Sequence, residues 1–405
     1  MYTLLLTIIY MAFISLGLPD SLLGSAWPSM QVQMAMPLSY MGIISMIISA
    51  GTIFSSLMSE RITKKFGTGL VTAISVFMTA IALFAFSVSN TFWLLCICAI
   101  PYGLGAGAID AALNNYVALN YTSRYMNWLH CFWGVGAAIS PYIMGYCLTG
   151  GVGGSNSLGW SMGYKAVAAI QIVITIILFI SLPLWKKQKF HKSQEENSKP
   201  IGLKNVFQIK GVKYILIAFF GYCALETTAG LWASSYLVLS RGISSERAAR
   251  YASFFYLGIT AGRFICGFVA DKIGDRNIIR VGIGVILVGI IAIVLPLTTD
   301  WVCLYGLIII GLGCAPIYPA IIHSTPENFG TENSQAVVGV QMASAYMGST
   351  LIPPLFGFMA DKISIHVFSG FIFVLLILII VTTERLNKVV GGLCIHKNIS
   401  ETTTL

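Results

Sequence analysis

Of the 15 acidic residues in the chain, Asp20, Asp110 and Glu226 stand well inside long apolar stretches. A charged side chain at bilayer depth is costly and by default marks a working site. A carboxyl wetted in turn from two aqueous sides can ferry a proton, which makes these three the candidate proton carriers. Plainer roles are open to each of them. Asp110 could be a hydrogen-bonding acid in a Gly-rich helix, Asp20 a cap where Gly17 and Pro19 break the helix, and Glu226 a packing residue. Asn114 and Asn115 follow Asp110 by about one helical turn, and Asn127 and His130 lie close beyond. Amide and imidazole groups both donate and accept hydrogen bonds, and imidazole titrates near neutrality. His130 could therefore relay protons, meet a solute hydroxyl, or simply bond a neighbouring helix. Trp27, Trp128, Trp133, Trp232, Tyr236 and Tyr318 lie near these positions. A flat ring face with a polar tip suits a sugar-like solute, so Trp27, Trp232 and Tyr318 join the candidate contacts. Packing and interfacial belts use the same residue types.

The elements that position these groups follow from composition. The chain has 405 residues, of which 57% are apolar and 10% charged, against about 45–50% and about 25% for a soluble domain. Too few polar side chains remain to coat several globular domains, so the solvent is a bilayer. A spanning helix needs roughly 20 apolar residues. Apolar windows place six spans at about 2–29, 38–59, 68–88, 92–118, 127–149 and 163–184. Six more fall at about 212–239, 248–270, 278–296, 301–322, 334–359 and 364–383. The expected fold is an all-α integral membrane protein with twelve transmembrane helices in two six-helix bundles, residues 1–184 and 214–405. A linker at 185–213 joins them, with Lys186, Lys187, Lys189, Lys192 and Lys199 among its charges.

Cytoplasmic loops are enriched in Lys and Arg. With the N-terminus inside, inner loops and tail hold 18 of the 24 basic residues, outer loops hold 5, and Arg263 lies in the eighth span. Both termini are expected to be cytoplasmic, in a cell membrane. The net charge of +9 is gathered in loops and forms no aromatic-laced stripe for nucleic acid. Nine scattered cysteines without a C-x-x-C pair indicate neither a disulfide framework nor a metal site. No cofactor motif of the G-x4-G-K-[ST] type occurs. Gly159-Trp-Ser161-Met-Gly163 matches a hydrolase elbow by chance, since no strand precedes it.

The two halves resemble each other. Gly136-x4-Pro141-x3-Gly145 returns as Gly348-x4-Pro353-x3-Gly357, offset 212. Asp20-x3-Gly24 with Trp27 is echoed by Glu226-x3-Gly230 with Trp232, offset 206, and Gly103-x-Gly105 by Gly311-x-Gly313, offset 208. Nearly constant offsets at corresponding spans mark two parallel repeats, a trace of transporter architecture.

The run Gly267-Phe-Val-Ala-Asp271-Lys272-Ile-Gly274-Asp275-Arg276 resembles the loop signature of the major facilitator superfamily, with a worn copy at Glu60-Arg61-Ile-Thr-Lys64-Lys65. The resemblance implies a gating role for Glu60, Arg61, Asp271, Lys272 and Arg276; solvated loop charge is the plainer reading. Asp110-x3-Asn114-Asn115 and Asn127-x2-His130-x-Phe132-x3-Gly136 resemble elements of the fucose permease branch. This implies proton-coupled sugar uptake, with Asp20 and Asp110 handling proton and solute and the amides contacting hydroxyls. The chain departs from that branch with His130 in place of an amide and Asp in place of Glu at 110.

A transporter without enzymatic activity is therefore expected, carrying a small polar solute, a monosaccharide or polyol, together with protons, and working as a monomer in the bilayer. Arg263 is expected to pair with another helix or to snorkel towards the inner surface. The competing class is a proton-antiport exporter of amphiphilic compounds, whose cavity would hold fewer amides than Asn114, Asn115 and Asn120 supply.

Overall fold

In the computed structural model the chain is described over residues 2–36, 40–149, 159–186, 202–242, 245–295 and 300–402, and it is almost wholly helical there, with no strand among the described residues. Helices dominate because lipid offers backbone N–H and C=O groups no partner, and a helix satisfies them within itself. The first half runs α1 (Tyr2–Asp20), α2 (Leu22–Gln33), α3 (Tyr40–Phe66), α4 (Thr68–Val88), α5 (Phe92–Asn120), α6 (Ser123–Thr149) and α7 (Gly159–Lys186). After the short α8 (Leu203–Val206) come α9 (Val212–Arg241), α10 (Ser245–Ile273), α11 (Asp275–Val294), α12 (Asp300–Cys314), α13 (Ile317–His323), α14 (Thr325–Phe329), α15 (Thr331–Lys362) and α16 (Phe368–Thr402).

Among the described residues nine stretches are long and apolar enough to cross a bilayer, α12 and α13 together making one. The pair α1 and α2, α6, and α15 fall at the first, fifth and eleventh expected spans; they are broken or carry more small and polar residues. The first expected span is split at Ser21. Pro19, within the last turn of α1, lacks an N–H and weakens the helix there. Ser21 Oγ donates instead to the Ala137 carbonyl of α6 at 2.6 Å.

Two compact units emerge from the packing. The first comprises 1–116 and 128–200, the second 117–127 and 201–405. In the first, α4 packs along α7; in the second, α9 packs on α15 and α16, and α11 on α12. Both units present large apolar side chains outward, such as Phe84, Ile81 and Ile180 in one and Leu257, Val288 and Val374 in the other. Such faces suit lipid.

The internal repeat is realised as paired helix crossings. A methyl added at Gly103 would collide with the Ile48 carbonyl of α3, and one at Gly311 with the Phe255 carbonyl of α10. Gly136 meets the Ile14 carbonyl of α1 in the same way, and Gly348 the Phe220 carbonyl of α9. A Cβ at Gly105 would lie 2.7 Å from the Ser75 oxygen, and one at Gly313 2.7 Å from the Gly282 oxygen. Small residues let membrane helices approach until backbones touch, and Gly103, Gly136, Gly311 and Gly348 each mark one such joint. The tight turns repeat as well, Gly67 at φ 79° before α4 and Gly274 at φ 78° before α11, a conformation glycine adopts without steric penalty.

Candidate functional site

In the first unit, Asp20 ends α1 with its side chain exposed. Trp133 Nε1 of α6 donates to one carboxylate oxygen at 2.8 Å, and the Tyr102 hydroxyl of α5 to the other at 3.2 Å. Both donors are neutral. They hold the ionised carboxylate without cancelling its charge, and protonation weakens their hold by removing acceptor capacity. Gly17 fixes this arrangement, because its missing side chain lets α1 lie against the backbone of Trp133 and Ala137.

Asp110 is buried, and so are Asn114, Asn115 and His130. Asn114 Nδ2 donates to Asp110 Oδ1 at 2.7 Å one turn back along α5, and to the Asp110 carbonyl at 2.9 Å. That amide orientation turns Asn114 Oδ1 towards α6, where His130 Nε2 lies 3.0 Å away. An amide oxygen only accepts, so Nε2 carries the hydrogen and the donors point in sequence from His130 to Asn114 to Asp110. A carboxamide holds its protons too firmly to pass them on, so the line orients Asp110 and does not conduct. The His130 ring also meets Phe13 edge-on, with centroids 5.4 Å apart.

The second unit builds a different centre at the repeat-related place. Glu226 of α9 lies 3.4 Å from Arg263 Nη2 of α10, the side chains being 18% and 5% exposed. Arg263 does not snorkel; it lies buried against a helix 37 residues earlier in the chain. The Tyr222 hydroxyl of α9 donates to the Cys314 carbonyl at 2.8 Å. The first unit has a carboxylate among neutral donors, whereas the second has one beside a fixed cation.

The remaining expected contacts are spread out. Asn127 is fully buried, with Nδ2 donating to the Ser123 carbonyl at 2.9 Å. Trp232 Nε1 donates to the Pro353 carbonyl at 3.0 Å and its ring packs on Phe356. The Tyr318 ring lies against Phe219 and Tyr222, with its hydroxyl 3.3 Å from Met342 Sδ. The side chain of Trp27 and residues 187–201 of the linker lie outside the described residues. Of the gating candidates, Glu60 is buried and pairs with Lys64 at 2.9 Å, while Arg61 and Lys272 are exposed. Asp271 accepts from the Arg124 backbone N–H and from the Thr122 hydroxyl, both at 2.9 Å. It therefore caps the first turn of α6. Arg276 reaches Glu327 at 4.0 Å.

Sequence reasoning passed over Tyr102, Tyr222, Gln171 and His323. Gln171 is fully buried in α7, accepts from Thr79 at 3.3 Å and donates to the Ser15 carbonyl at 2.5 Å. A lone amide in the run from Ala166 to Ile177 was signal enough to find it. Among the described residues no three His, Cys, Asp or Glu side chains gather as metal ligands.

A profile of the Major Facilitator Superfamily matches residues 9–344 and 215–389. The Saccharomyces cerevisiae protein "Bypass of stop codon protein 6" is 20% identical over 65% of this chain, which spans only 56% of that protein's length. The "Cis,cis-muconate transport protein" of Acinetobacter baylyi is 24% identical over 80% of this chain and 79% of its own. Among solved structures, the Escherichia coli "Fucose:proton symporter, FucP" superposes with a TM-score of 0.76 at 15% identity, covering 95% of this chain and 99% of its own. That likeness carries the fold.

Proposed function

The chain belongs to the major facilitator superfamily, and from that premise we propose that this multi-pass membrane transporter takes up a small polar solute, a monosaccharide or polyol, with protons. The supporting observation is Asp20, an exposed carboxylate at a helix break that, among the described residues, is held by the neutral donors Trp133 and Tyr102. An exposed charge on a membrane helix is tolerated where it faces water. Protonation weakens the hold of its donors, so a bound proton changes what Trp133 and Tyr102 offer a solute. Trp133 adds a ring face for the C–H side of a sugar. Asp110, with Asn114 and His130, is the second titrating candidate, and Glu226 the third. Coupling requires that proton and solute bind together, so that partly loaded states seldom reorient. Alternating access to opposite sides then gives net uptake. The FucP likeness supports sugar and proton as cargo. In this reading the protein works as a monomer in the cell membrane with both termini in the cytoplasm.

A second reading takes a carboxylate-bearing solute. It is favoured by the buried cation Arg263 and by the muconate transporter among the relatives. One experiment separates the two. Purified protein in liposomes is screened against radiolabelled hexoses, pentoses, polyols and small carboxylates while the pH on both sides is followed. Uptake of a neutral hydroxylated solute with external alkalinisation supports the first reading. Uptake confined to carboxylates supports the second, and proton flux that ignores every solute overturns both.

A further inference from the structure

His323, at the end of α13, has both ring nitrogens against oxygen. Nδ1 lies 2.6 Å from Asp275 Oδ2, and Nε2 lies 3.0 Å from the Tyr121 backbone carbonyl. A carbonyl can only accept, so Nε2 must carry a hydrogen. That leaves Nδ1 of a neutral ring as a lone pair facing a carboxylate oxygen, which is repulsive. The contact is made good in two ways, an imidazolium beside a carboxylate or a neutral imidazole beside a protonated Asp275. Both hold one proton more than neutral histidine and an ionised aspartate.

The other groups around this pair strengthen the demand. Asp275 Oδ1 accepts from the Ser123 hydroxyl at 2.8 Å, so its second oxygen is engaged as well. Asp271, in the last turn of α10, adds a further negative charge near the ring. Arg124 is the cation on the α6 side; its Nε lies 3.5 Å from Asp271. Arg276 is directed at Glu327 of α14, and Arg280 is held bidentately by Glu384 at 2.7 and 2.8 Å. Every contact of Tyr121, Thr122, Ser123 and Arg124 to this cluster belongs to the second unit, which takes in residues 117–127.

We propose that His323, Asp275 and the Tyr121 carbonyl form a proton-binding site whose occupancy latches the 120–124 turn onto the α10–α11 turn. The latched turn joins the helices that carry Asp110, Asn114 and His130, so a proton bound here governs the freedom of the segment that positions them. The site is separate from the three carboxylates within the spans and does not depend on the solute carried. Because the latched form holds one proton more than the released form, rising pH favours release. The equilibrium changes by at most about tenfold per pH unit.

The test is amide hydrogen exchange on the full chain in lipid nanodiscs from pH 5.5 to 8.5, with rates normalised to intrinsic exchange. The reporter is the Arg124 amide, which is bonded to Asp271 in the latched state; amides of α4 serve as the reference. Protection at 121–126 should fall as pH rises, approaching about tenfold per unit, while α4 stays level. In His323→Gln the pH dependence should vanish. A flat wild-type profile overturns the proposal without any variant, and so does a wild-type slope retained in His323→Gln.

Discussion

Removing one member of the Glu226 and Arg263 pair should unbalance the second unit in a way that removing both does not. At 3.4 Å, two unit charges attract by about 5 kcal/mol at an effective dielectric of ~20. Desolvation offsets much of this, so the pair adds little net stability, but leaving one charge alone in the interior costs about 3–5 kcal/mol. The two single variants should differ. Glu226→Gln strands a guanidinium that is 5% exposed and cannot shed its proton, so it should fall at the upper end of that range. Arg263→Met strands a carboxylate that is 18% exposed and can protonate or recruit water, so its cost should be smaller. The double variant Glu226→Gln/Arg263→Met leaves no unpaired charge and should be more stable than either single. Thermal unfolding of purified protein in one detergent, followed by tryptophan fluorescence, reads the order directly. A double variant whose loss equals the sum of the two single losses would show that the charges do not interact and would refute the reasoning.

Other perturbations follow from the same geometry. Gly103→Ala and Gly311→Ala each push a methyl into a neighbouring carbonyl and should lower stability by about 1–3 kcal/mol; Gly42→Ala and Gly284→Ala, with nothing within 4 Å, should be neutral or up to ~1 kcal/mol stabilising, all measured by the same unfolding assay. Asp110→Asn should abolish solute accumulation driven by a pH gradient while leaving solute exchange measurable in liposomes, and normal accumulation would remove Asp110 from the coupling. Trp133→Phe keeps the ring and deletes the donor to Asp20, so solute affinity should shift its pH dependence while expression holds. His130→Ala should weaken solute binding through release of Asn114, and unchanged affinity would make His130 a packing residue.

Most of the helical framework could be read from the chain because the run length of apolar residues is a direct consequence of bilayer thickness. The repeat was legible too, though not what it builds. Gly103, Gly136, Gly311 and Gly348 stood out by spacing, and each lies where two backbones meet. What stayed hidden was partnership. The Tyr102 hydroxyl reaches Asp20 across 82 residues of sequence, and Arg263 reaches Glu226 across 37; no local pattern encodes such a meeting. His323 escaped for a different reason. It stands one residue beyond the apolar window assigned to the tenth span, where polarity is ordinary, and its meaning comes from Tyr121, 202 positions earlier. The break near Ser21 was half visible, since Pro19 announced a weakened turn but nothing local named Ala137 as the acceptor.

At Gly103, Gly136, Gly311 and Gly348 the joint is glycine against a main-chain carbonyl. A joint built this way places no demand on the chemistry of the side chains around it. Polar groups elsewhere on the same helices can therefore differ between the two units while these crossings stay alike. The divergence of Asp20 among neutral donors from Glu226 beside a cation is the mark of that freedom. Substitutions at such polar positions are accordingly expected to leave the helix crossings unchanged.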